Sequence, residues 1–133
     1  KNLQNIIPIK KKYNLARKKK YSRAYIIYNE KNEILIRKRS SKGMLASMLE
    51  VPNDKWVIDK RKLVKDRITL KTKNKMITKG LVEYSFSHFD LFIEVFITKV
   101  KKNLFKNHKW IKKNKINRSG LPTVMKKIIE IAI

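Results

Sequence analysis

The side chains of this protein that could do chemistry are few, and their spacing limits what that chemistry is. Ten acidic residues are scattered so that no two are adjacent, so a motif that needs neighbouring carboxylates to hold magnesium is absent. There is no cysteine, which excludes disulfides, thiolate zinc sites, cysteine nucleophiles and thiolate-held iron–sulfur clusters within the chain. A zinc centre built on the two histidines, His88 and His108, would need carboxylate help, and no ligand-like cluster is visible. What remains is Ser87-His88, set between Phe86 and Phe89. A hydroxyl donates and accepts, and a neutral imidazole does one of each, so this pair could read a hydrogen-bonding pattern. It equally suits a plain hairpin turn whose flanking phenylalanines belong to a core.

The elements that must position the pair are legible on either side of it. Val82, Tyr84 and Phe86 alternate with Glu83 and Ser85, the period of a half-buried strand. Phe89, Leu91, Ile93, Val95 and Ile97 form one face of a following strand, and Phe92 and Phe96 on its other face predict cover on both sides. Upstream, Tyr25 to Tyr28 and Ile34 to Ile36 flank the polar loop Asn29 to Asn32 and predict a hairpin closing near Arg37-Lys38-Arg39. Gly43 to Pro52 is apolar without a clean period. Residues 60–80 predict a short helix over Lys60 to Ile68, then an irregular loop. A short strand is expected near Trp110-Ile111. The last element is a helix, with Pro122 in its first turn and Val124, Met125, Ile128, Ile129, Ile131 and Ala132 at helical spacing. Strands with interspersed helices indicate an α+β fold with a mixed or antiparallel sheet, and 133 residues suit one domain.

Charge adds a partner class. A net charge of +25 favours polyanions, because each phosphate contact releases counterions. It is unevenly placed: residues 1–23 and 99–118 each carry nine Lys or Arg and no acid, while 81–97 carry Glu83, Asp90 and Glu94 and no base. Residues 1–22 read as a basic interdomain linker and 23–133 as the domain. Lys10 to Lys20 and Lys99 to Lys115, interleaved with Tyr13, Phe105 and Trp110, suit phosphate contact along a duplex or an ordinary solvated surface. Abundant Lys, Asn and Ile are also what A- and T-rich coding DNA produces, so charge alone names no function. No stretch approaches the roughly 20 apolar residues of a membrane span, and no membrane partner is expected; with no cysteine, a cytoplasmic setting is the default. The start at Lys1, without Met or a secretory pattern, reads as a cut from something longer.

Four stretches, taken in order, resemble the carboxy-terminal, Nudix-like domain of MutY-type adenine DNA glycosylases. Ile7-Pro8-Ile9-Lys10 is similar to the connector that leads into that domain. Arg39, Lys42-Gly43-Met44-Leu45-Ala46 and Leu49-Glu50-Val51-Pro52 resemble its Arg…Lys-Gly-Leu-Leu…Trp-Glu-Phe-Pro stretch. Tyr84 to Phe89 looks like its Thr-Phe-Ser/Thr-His-Phe segment, and Gly120 to Lys127 like its closing Leu-Pro-Thr-Val-Met-Arg-Lys helix. Together they cover nearly the whole chain. The resemblance implies a Nudix-like fold, a mixed β-sheet flanked by helices, and a role in recognising 8-oxoguanine opposite adenine in duplex DNA. It places Phe86, Ser87 and His88 against the oxidised base, and with the basic stretches it puts Lys10, Lys11, Lys12, Arg39 and Lys42 on the DNA backbone. No catalytic residue and no cofactor is implied for this chain. Adenine removal and an iron–sulfur cluster are expected in an amino-terminal glycosylase domain of the same protein.

Two departures matter. The family's Trp is Leu49, and its Gly-Gly after Pro is Asn53-Asp54, which changes that loop. A Nudix-type hydrolase of nucleotides such as 8-oxo-dGTP is the alternative; it needs Gly-x5-Glu-x7-Arg-Glu-x2-Glu-Glu for magnesium. The terminal Glu-Glu pair is absent, and Gly43 to Glu50 has the wrong spacing, so Glu50 reads as structural. A general nucleic-acid-binding protein, held by charge alone, is the third reading.

Overall fold

The computed structural model describes residues 17–72, 74–101, 105 and 108–133. They form strands β1 (Lys18–Tyr28), β2 (Glu33–Lys38), β3 (Leu49–Glu50), β4 (Ile77–Ser85), β5 (Phe89–Lys99) and β6 (Lys109–Lys112), and one helix, α1 (Thr123–Ala132). Alternation governs the long strands. β1 and β5 run parallel through their full length, Lys18 beside Phe89 and Tyr28 beside Lys99. β4 folds back antiparallel on β5, and β2 pairs antiparallel with β1, β3 and β6. The result is a mixed six-stranded sheet in the order β3-β2-β1-β5-β4, with β6 added on β2, so the α+β expectation holds.

The amphipathic α1 covers one face. Its Val124, Met125, Ile128 and Ile129 pack with Ala24, Ile26, Ile93 and Val95 in one buried cluster. Residues one position along point the other way. Tyr25, Ile27 and Leu35 join Ile68, Val100 and Phe105 in a second cluster, with Phe96 and Trp110 against it. Phe96 is half-buried there and Phe92 is half-buried against Tyr21, which is the two-sided cover expected of β5. β4 reaches α1 across a bulge between Thr78 and Gly80. Gly80 has φ +140°, and a Cβ there would meet Ile131 Cδ1 at 3.0 Å, so the close approach requires glycine.

Three local expectations need correction. β1 opens at Lys18, inside the stretch read as linker, because its backbone ladder to β5 does not depend on apolar side chains. The lysine stems lie along rings instead, with Lys20 Nζ 4.4 Å from the Phe89 centroid and Lys19 Nζ 6.0 Å from that of Phe92. Over Lys60 to Ile68 there is no α-helix but two short 3-10 turns, Lys60–Lys62 and Arg67–Leu70. Asp59 and Asp66 each accept from the N–H two residues on, and only Ile68 is buried, so no apolar face drives a longer helix. Pro122 stands just before α1 as its N-cap rather than inside its first turn.

Candidate nucleic-acid interface

Ser87 and His88 stand at the tip of the short loop 86–88 between β4 and β5. The loop closes through the Phe86 N–H, which donates to the Phe89 carbonyl at 2.8 Å. Both loop residues are exposed, and neither side chain makes a hydrogen bond to the described residues. Their donors and acceptors are therefore free for a ligand. Phe86 differs: it is half-buried and supports the loop from below. Its ring lies 4.9 Å from Phe89, 5.0 Å from Tyr84 and 5.6 Å from Trp56, centroid to centroid. Such contacts add roughly 0.5–1.5 kcal/mol each beyond burial.

Cations surround this aromatic cluster. Lys20 sits over Phe89, Lys127 Nζ is 5.8 Å from the Tyr84 centroid, and the Arg39 guanidinium is 4.6 Å from that of Trp56. Arg17 reaches in from just ahead of β1. Its Nε donates to Asp90 at 3.0 Å, its Nη1 to the Ser87 carbonyl at 3.3 Å, and its Nη2 to the carbonyls of Phe86 and Phe89. Asp90 is buried and also accepts from the Ser85 hydroxyl at 2.7 Å.

The residues assigned to DNA phosphates have different fates. Lys42 is exposed on a loop shaped by the positive φ of Gly43, Leu45 and Ser47. Arg39 is committed inward: Nη1 donates to Glu50 at 2.6 Å and Nε to the Met44 carbonyl at 3.0 Å, with its side chain 17% exposed. That arginine organises the loop through Nε and Nη1, while its Nη2 makes no hydrogen bond among the described residues. Lys10, Lys11 and Lys12 lie outside the described residues.

Three further acidic residues, Glu50, Asp54 and Asp66, are consumed by the fold. Residues 53–57 run along the open edge of β1, bridging Ala24 to Asn53 and Tyr21 to Val57. That path inserts Asp54 into the interior at 0% exposure, where it accepts from Arg23 at 2.5 Å and from the Tyr25 hydroxyl at 2.7 Å. Burial, with the hydrogen bond to Asp54, drives the Tyr25 phenol far above its ordinary value. Arg37 bridges Glu50 at 2.7 Å and Asp66 at 2.6 and 2.9 Å. Burial alone would pull Arg37 down, but its bonds to Asp66 and Glu50 prevail and raise it. Burial likewise pushes the Asp66 carboxyl up, and Arg37 with the Ile68 N–H more than offsets this, leaving it lowered. Among the described residues no group of three or more His, Asp or Glu is placed to hold a metal ion. With guanidinium groups already against Glu50, Asp54 and Asp66, this donor set does not fit a divalent cation.

Sequence reasoning found the loop and missed its supports. Arg17 fell in the presumed linker, Asp90 read as one polar residue on a strand, and Trp56 had no periodic neighbours to mark it. The one available signal was composition: Trp56 is one of two tryptophans, a residue that rarely stands in a polar loop without a packing role.

Comparisons with known proteins agree with this architecture. The NUDIX domain family matches residues 23–131. Among solved structures, the fold is similar to the C-terminal domain of mouse MUTYH, crystallised in complex with human PCNA. That pair has a TM-score of 0.67 and 15% identity over 85% of this chain and 86% of the other. The MutT protein from Methanosarcina mazei Go1 gives 0.63 and 21% over 86% and 93%. A NUDIX hydrolase from Nitrosomonas europaea gives 0.60 and 13% over 86% and 88%. At such identities the likeness is one of fold. No curated protein matches in sequence. The mixed sheet, with α1 packed on one face, and a family match that spans residues 23–131 make this chain a member of the NUDIX domain family.

Proposed function

We propose that the chain is a lesion-reading module: it recognises 8-oxoguanine opposite adenine in duplex DNA, as the C-terminal part of an adenine DNA glycosylase. The observation that carries this reading is the Ser87-His88 loop, whose side chains are exposed and unspent while its backbone is pinned by Arg17 and Phe86. Oxidation turns guanine N7 from an acceptor into an N–H donor and adds an oxygen acceptor at C8. The Ser87 hydroxyl can both accept and donate, so the oxidised base is rewarded and an unmodified guanine leaves a contact unpaired. That difference is worth about 1–3 kcal/mol. Lysines such as Lys18, Lys19 and Lys42, all exposed, supply sequence-independent phosphate contacts. Flipping and hydrolysis of adenine fall to a glycosylase domain ahead of this one, which also carries the iron–sulfur cluster.

Fold alone favours a nucleotide hydrolase equally. What supports the reading module over the hydrolase is the chain's chemistry: no two acidic residues are adjacent, and Glu50, Asp54 and Asp66 are paired with arginines. The test uses the two-domain glycosylase. Ser87→Ala combined with His88→Ala is expected to reduce the preference for 8-oxoguanine:adenine over guanine:adenine. An unchanged preference contradicts the reading, and magnesium-dependent release of pyrophosphate from 8-oxo-dGTP by the domain would favour the hydrolase. The reading frame upstream of Lys1 is expected to encode four cysteines in an iron–sulfur arrangement.

A further inference from the structure

We infer that Arg17 is a positioning residue for lesion reading, a role that rests on the function proposed above. A short loop closed by one backbone hydrogen bond would drift among turn geometries. Here one guanidinium spans it from beneath, bonding the carbonyls of Phe86, Ser87 and Phe89 while its Nε is anchored on Asp90. The anchor is itself fixed, because Asp90 is 2% exposed and accepts from Ser85 as well. Only a planar fork with several donors reaches all these oxygens together; a lysine ammonium would satisfy fewer of them. The three bonded carbonyls belong to the loop backbone, so Arg17 leaves the Ser87 hydroxyl and the His88 imidazole free and sets where they stand. A preorganised reader loses less freedom on meeting the base, and the saving appears as discrimination. Arg17 is also the residue immediately ahead of β1, so the chain that enters the domain and the loop that reads the lesion share one side chain.

Arg17→Lys in the two-domain glycosylase isolates the effect, since it keeps the positive charge and removes the fork. Its ratio of kcat/KM for 8-oxoguanine:adenine over guanine:adenine should fall by about tenfold, with affinity for undamaged duplex unchanged. In the same variant, hydrogen exchange at the Phe86 amide should quicken by about tenfold, because the loop bond it makes to Phe89 opens more often. A general loss of folding would instead lower affinity for every duplex and speed exchange in β1 and β5 together. Wild-type exchange at Phe86 overturns the clamp. So does a wild-type ratio in Arg17→Lys when Ser87→Ala lowers it, an outcome that leaves the lesion-reading function standing. If Ser87→Ala also leaves the ratio unchanged, the function itself fails and the role of Arg17 falls with it.

Discussion

Two polar regions of this domain are built in opposite ways. Around Arg37 the carboxylates are all paired: Glu50 accepts from Arg37, Arg39 and Asn53, Asp66 from Arg37, and Asp54 from Arg23 and Tyr25. At Ser87-His88 the backbone is held and the side chains are left open to solvent. The first arrangement spends charge on fold; the second keeps hydrogen-bonding capacity for something outside the chain. In this NUDIX domain Glu50, Asp54 and Asp66 are taken up by arginines rather than left open to solvent.

The largest effect should come from breaking the first region. Arg37→Ala leaves Asp66, 16% exposed, without its guanidinium partner and Glu50, 6% exposed, with Arg39 and Asn53 alone, and is expected to cost about 3 kcal/mol in urea unfolding. A cost below about 0.5 kcal/mol would mean the network is ornamental and its carboxylates available. Ser87→Ala should behave in the contrary way: stability should stay within about 0.5 kcal/mol while lesion discrimination drops about tenfold. Equal losses in both assays would erase the distinction between the regions.

Acid sharpens the same contrast. The Asp66 carboxyl is lowered in the folded protein, so folding favours its charged form. That contribution is present above the usual carboxylate range and is lost as pH falls below about 4. Asp66→Asn should therefore flatten the acid limb of a stability–pH curve, whereas Ser87→Ala should leave it in place. The smallest effect involves His108. Burial lowers its imidazole, helped by Lys71 and Arg37. The unfolded chain then binds the proton more readily, and stability declines as pH drops through about 6.5. His108→Gln should remove that shallow slope in thermal melts between neutral and mildly acidic pH.

Much of the frame was legible because it follows period. The alternation of Val82, Tyr84 and Phe86 and the apolar face of Phe89 to Ile97 gave β4, β5 and the loop between them. The helical spacing from Val124 to Ala132 gave α1. What escaped was set by tertiary contact. Lys18 to Ser22 looks like a charged tail, yet its backbone is paired with β5 along its whole length. Residues 53–57 have no periodicity and are held by the edge of β1. Arg39 illustrates the limit at the level of one side chain: its charge suggested a phosphate contact and gave no sign of the contacts to Glu50, Met44 and Trp56 that position it.

The most direct test of the account is a nuclear magnetic resonance titration of this domain with two duplexes that differ only in 8-oxoguanine against guanine opposite adenine. Shared shifts should spread over the lysine-bearing surface for both, and the difference between the two titrations should concentrate on the Phe86 to Phe89 amides. A difference map that is blank at Ser87 and His88 would contradict the claim that this loop reads the oxidised base.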